Sequence, residues 1–170
     1  MATDEDLIGD VARGDEPAFR ELLRRYERPL GHFIYRHTGG RDVEDLYQET
    51  WLRVFRHAAR FDRGKRFSTW LFHIAVNLCR DWYRRAAPEP SDDSAIAPTT
   101  DVARTEAQLD ASRLLARLPE AQREVVILRF FHDLTEDEVA QIVDCPRGTV
   151  KSRLHNGLAR LAILAGVART

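Results

Sequence analysis

Apolar residues recur at helical spacing in stretch after stretch of this chain, and the pattern reads as all-α. Phe19, Leu22, Leu23, Tyr26, Leu30, Phe33 and Ile34 predict a helix over 16–37, with Pro29 placed to kink or divide it. Thr38-Gly39-Gly40 ends it, and from Asp42 or a neighbour Val43, Leu46, Thr50, Val54 and Ala58 share one face of a second helix. A third begins near Ser68-Thr69 and buries Trp70, Leu71, Ile74, Ala75, Leu78 and Trp82. The period then stops. Residues 88–100, PEPSDDSAIAPTT, hold three prolines and no apolar repeat, which predicts an extended, flexible linker. Stretched out, it would reach roughly 40 Å at about 3.1 Å per residue. Beyond it Val102, Leu109, Leu114, Leu115 and Leu118 predict a helix that stops at Pro119. Glu120 to Phe131 supplies another, with Val125, Val126, Leu128, Phe130 and Phe131 available for burial.

The clearest pattern lies over 135–161. Thr135 and Glu138 have the spacing of a capping box, so a helix should start there with Val139, Ile142 and Val143 inward. Asp144, Cys145 and Pro146 interrupt it, because proline is poor inside a helix and good at its start. In the helix that follows, Val150, Leu154, Leu158 and Leu161 face inward, leaving Arg147, Thr149, Lys151, Ser152, His155 and Asn156 outward. Two helices with so short a turn have the form of a helix-turn-helix, whose second helix enters the major groove. Similar pairs also occur in all-α proteins that bind no DNA, so the pattern alone leaves both readings open. The fold expected is therefore two small helical domains, 1–87 and 101–170, joined by the flexible linker 88–100, the second carrying the helix-turn-helix.

Charge changes this picture more than composition does. The chain has 170 residues, 44% of them hydrophobic, and a net charge of −1. That total hides its distribution. Residues 1–50 hold 7 basic and 12 acidic side chains, 51–87 hold 9 and 2, 88–146 hold 5 and 13, and 147–170 hold 5 and none. Two basic blocks, each preceded by an acidic one, suggest two nucleic-acid contacts and acidic faces for a different partner. The two cysteines, Cys79 and Cys145, have neither a disulfide framework nor a metal-ligand spacing around them. No apolar run approaches a membrane span and the acidic start lacks a signal-peptide pattern, so a cytoplasmic protein without membrane insertion is expected.

Two further candidate surfaces emerge. Asp45, Gln48, Glu49 and Trp51 form an acidic patch with an aromatic beside it. Trp51 is either an exposed anchor for a protein partner or a core residue. On the third helix His73, Asn77, Arg80 and Arg84 follow one face, next to the loop Arg63, Lys65 and Arg66 and the aromatic Phe67. Cations for a backbone with rings or amides for unstacked bases suit a single strand, and a solvated charged face is the alternative.

Taken together, DVEDLYQETWLRVFRHAARFD, RFSTWLFHIAVNLCRDWYRR and LPEAQREVVILRFFHDLTEDEVAQIVDCPRGTVKSRLHNGLARL resemble a sigma factor of bacterial RNA polymerase, of the extracytoplasmic-function group. The resemblance covers nearly all of the chain, in family order. It implies that Asp45, Gln48, Glu49 and Trp51 dock on the clamp helices of the largest subunit of bacterial core RNA polymerase. It implies that Asn77 and the loop from Arg63 to Phe67 hold a base flipped from the minus-ten element of promoter DNA, with His73, Arg80 and Arg84 on the same face. Lys151, Ser152, His155 and Asn156 would face the minus-thirty-five element, with Arg147 and Arg153 on phosphates and Thr149 beside them. The helices before them resemble the surface that meets the polymerase flap tip. An anti-sigma factor is a further expected partner. No catalysis, cofactor or metal is assigned to the chain, since the polymerase does the chemistry. Asn156-Gly157 departs from the run of arginines many relatives carry there, which bears on one phosphate or guanine contact. The rival readings are a stand-alone helix-turn-helix regulator, for which no dimerisation element is evident, and an all-α hydrolase. The six histidines show no HExxH or similar spacing.

Overall fold

A computed structural model describes residues 1–86 and 106–167. The linker expected over 88–100 lies outside the described residues, as does Val102. Among the described residues there are helices and no strand. They are α1 (Asp4–Ala12), α2 (Glu16–Thr38), α3 (Val43–His57), α4 (Phe67–Arg85), α5 (Glu106–Ala116), α6 (Glu120–Val126), α7 (Glu136–Val143) and α8 (Arg147–Leu164).

Local chemistry explains the boundaries. α1, which the apolar pattern did not predict, opens on a capping box of Thr3 and Asp6. Asp15 caps α2 through the Ala18 amide, and α2 runs through Pro29 as one helix to a left-handed Gly39. α4 has no side-chain cap of its own; instead Glu5 of α1 accepts from the Phe67 amide at 2.8 Å. It therefore starts slightly before Ser68. The capping box of Thr135 and Glu138 is present as expected, and Asp144 adopts φ 58° to turn the chain into α8.

The first unit, α1 to α4, buries Ile8, Leu22, Leu30, Phe33, Ile34, Val54, Phe67 and Leu71 completely. The second, α5 to α8, buries Val125, Ile127, Leu128, Val139, Ile142 and Val150. Three expectations shift by a residue or more. Leu158 is exposed, and the α8 face turned inward is Val150, Leu154, Gly157 and the partly buried Leu161. Glycine suits the tight space there, because a Cβ would sit 3.0 Å from Val126 Cγ2 and 3.4 Å from Gln122 Cβ and push those side chains back. Phe130 and Phe131 are exposed because Ile127–Phe131 forms a π-helical turn, which moves these side chains off the α6 register.

The two units pack on each other, α4 against α7 and α2 against α5 and α6. Arg123 is the centre of the seam. It is only 6% exposed, and it donates to the carbonyls of Leu115, Leu118 and His37 at 3.0, 2.9 and 2.9 Å. One side chain thereby satisfies the end of α5 and ties it to α2.

Candidate nucleic-acid interface

On α3, Asp45 and Gln48 are exposed, and Glu49, half-buried, pairs with Arg53 at 3.1 Å. Asp45 and Glu49 line a groove that also takes in Asp42, Asp81 and Trp82, whose indole N–H donates to Asp42 at 2.7 Å. Trp51 does not belong to this surface. It is 4% exposed and packs edge-on against Phe19 at 5.8 Å, so the exposed-anchor reading is corrected. The exposed apolar residues of α3 are Leu52 and Phe55, at 47% and 57%, which the sequence reading passed over. Their signal was available: both lie off the buried stripe yet are large and apolar.

On α4, His73, Asn77 and Arg80 are half-buried and Arg84 is exposed beside Asp81. The Asn77 amide nitrogen lies 3.4 Å from the His73 ring, so the two sit together. The loop before α4 turns on Asp62, which accepts from the Gly64 amide at 2.9 Å and leaves Lys65 and Arg66 exposed. Arg63 lies across α1, where it would collide with any side chain at Gly9. Phe67 is fully buried against Tyr26 and Trp70, so its ring is core and a stacking role for it is corrected.

This face is not open. Arg80 Nε donates to Glu124 Oε2 at 3.1 Å and its Nη2 donates to the Val143 carbonyl at 3.0 Å. Arg66 pairs with Glu138. Asn77, Arg80 and Arg84 line one wall of a cleft of about 520 Å³, with Glu120, Glu124, Val143 and Arg153 opposite. Burial pushes the Glu138 carboxyl up, but Thr135 and Arg66 more than offset this and hold it below the usual value.

The α8 face is arranged differently. Arg147, Lys151, Ser152, His155 and Asn156 are exposed, Thr149 and Arg153 half-buried. Arg147 reaches Glu136 at 3.1 Å and Asp137 at 3.6 Å, and Lys151 stands 4.0 Å from Glu136. The Ser152 hydroxyl donates to Thr149 O at 3.1 Å, and Arg153 lies 3.8 Å from the Cys145 sulfur. Donors on one side of a helix and an apolar opposite side packed on α6 and α7 form a surface that can enter a groove.

The chain matches the family models for sigma-70 region 2 over residues 22–89 and sigma-70 region 4 over residues 108–161. It is 30% identical over 168 residues to the ECF RNA polymerase sigma factor SigW of Bacillus subtilis, covering 88% of this chain and 90% of that one. It is 31% identical over 169 residues to the ECF RNA polymerase sigma-E factor of Escherichia coli, covering 89% and 88%. Its fold superposes on CnrH in complex with the cytosolic domain of CnrY with a TM-score of 0.75 at 26% identity, over 98% and 99% of the two chains. It superposes on the sigma factor RpoE in complex with the anti-sigma factor NepR from Bartonella quintana with a TM-score of 0.72 at 28% identity, over 89% and 98%.

Proposed function

The chain belongs to the extracytoplasmic-function sigma factors, which direct RNA polymerase to promoters, and on that premise we propose which of its surfaces do each part of the work. The second unit reads the minus-thirty-five element through α8: Lys151, Ser152, His155 and Asn156 at base edges, Arg147, Thr149 and Arg153 at phosphates. The first unit engages the minus-ten strand through Asn77, with His73, Arg80, Arg84 and the loop Arg63, Lys65 and Arg66 supplying polar and cationic contacts. Extruding a base costs a few kcal/mol, which an amide such as Asn77 recovers at the base's Watson–Crick edge. The acidic side of α3, Asp45, Gln48 and Glu49, with Leu52 and Phe55 in place of Trp51 as apolar anchors, docks on core polymerase.

Because Glu124 and Glu138 hold Arg80 and Arg66, the two units must part before the first can take hold of DNA. The chain itself carries no catalysis in this account and works in the cytoplasm; among the described residues no helix is long and apolar enough to cross a membrane. An anti-sigma factor is a fitting partner, since the sigma factor RpoE, on which this fold superposes, was solved in complex with the anti-sigma factor NepR.

The observation that carries this reading is that both units occur in one chain, in family order, matched along most of its length. The test is selection from a pool of random duplex DNA by the purified chain, with and without bacterial core polymerase. Retention only with core, of two sequence blocks at a fixed spacing, is expected. A palindrome retained by the chain alone would replace this account with a stand-alone regulator.

A further inference from the structure

The seam between the units holds a cluster that polymerase and DNA binding leave unused. His37, near the end of α2, is completely buried, and neither of its ring nitrogens has a hydrogen-bond partner. Glu120 and Glu124 stand one turn apart on α6, so their carboxylates project to the same side. His37 Nε2 lies 3.6 Å from Glu124 Oε2, too far for a hydrogen bond. One donor atom from each of the three residues lies within 4.8 Å of the other two. Glu120 Oε1 is also buried without a partner.

We propose that His37, Glu120 and Glu124 form a binding site for a divalent transition-metal ion that clips α2 of the first unit to α6 of the second. One imidazole nitrogen and two carboxylate oxygens suit zinc and its neighbours, and small side-chain rotations bring such atoms to bonding distance. The surroundings fix the ligands. Arg123 and the Tyr83 hydroxyl donate to the His37 carbonyl at 2.9 and 2.8 Å, and Phe33 and Tyr83 flank the ring at 5.6 and 5.7 Å. Arg80 donates to both Glu124 oxygens, from Nε to Oε2 at 3.1 Å and from Nη2 to Oε1, and would orient that carboxylate as an outer-sphere partner. Sequence spacing hides the site because its histidine and its carboxylates lie in different units.

The ion would favour the closed form. Its effect on promoter engagement rests on the proposed function, whereas its binding does not.

The test is calorimetric titration of zinc into the metal-free full chain at neutral pH, with small-angle scattering on the same samples. One specific site is expected, weakened about tenfold or more by His37→Gln and by Glu120→Gln and unaffected by His57→Ala on the surface. Scattering should show a more compact particle with zinc. Glu120 is half-exposed, so Glu120→Gln keeps the test valid if His37→Gln fails to fold. Absence of a specific site, or binding that survives both substitutions, overturns the proposal. Failure of polymerase-dependent promoter selection would instead count against the proposed function and leave the titration unchanged.

Discussion

α4 and α8 each present a polar, cationic stripe, yet their cations are held in opposite ways. On α8 the Arg147 and Lys151 side chains are 55% and 59% exposed, and their acidic neighbours lie on the adjoining α7. Exposed pairs of this kind are worth about 0–1 kcal/mol, so a competing phosphate would displace them easily. On α4 the Arg80 side chain is 28% exposed and its partner Glu124 only 2%. Removing one member of a buried pair costs several kcal/mol, because the other charge is left without compensation. Two stripes that look alike in sequence therefore differ in availability. The α8 stripe is exposed in the closed chain, and on the proposed reading the α4 stripe would become available only when the units separate.

The comparison breaks first at Arg123. Arg123→Ala strips donors from four carbonyls and a tyrosine hydroxyl at the seam. The expected loss is about 3 kcal/mol or more, read from the urea midpoint; a loss under about 1 kcal/mol would mean the seam is not a major source of stability. Next comes Asn77→Ala, for which strand opening by the holoenzyme should fall about tenfold while duplex binding changes little. Equal losses in both assays would remove Asn77 from base recognition. Lys151→Ala should weaken promoter binding, lower the salt slope by about 1 and relax specificity at the base it reads. An unchanged slope would take Lys151 off the phosphate or base contacts.

The smallest effect concerns acid. Burial raises Glu124 and Glu138, yet Arg80 at the first, and Thr135 and Arg66 at the second, bring both carboxyls below the ordinary value of 4.5. A lowered carboxyl contributes its stability in full above its unfolded value and loses it as pH falls through the folded one. The closed form should therefore hold from neutral pH down to about the ordinary value and loosen below it. Scattering against pH measures this, and loosening on the alkaline side instead would assign the seam to other groups.

What the sequence made legible follows the reach of each interaction. The capping box at Thr135, the turn at Asp144 to Pro146 and the outward donors of α8 depend on neighbours within a turn or two, and all were readable. Trp51 was not, because Phe19 of another helix is what covers it. Phe67 failed for the same reason: Tyr26 and Phe61 enclose its ring. Gly157 read only as part of a departure from a run of arginines; its close packing on α6 is visible only once Val126 faces it. The pairs Arg80–Glu124 and Arg66–Glu138 bridge residues far apart in sequence, and no periodicity announces them.

The central claim, that a closed chain must open to use α4, is tested most directly by energy transfer between one label on the exposed surface of the first unit, at Arg56, and one on the second, at Arg160. High transfer is predicted for the chain alone. A fall is predicted on adding core polymerase and promoter DNA together, in step with strand opening. Strand opening at undiminished transfer would contradict the account, since the face carrying Asn77 and Arg80 would then have worked while still covered.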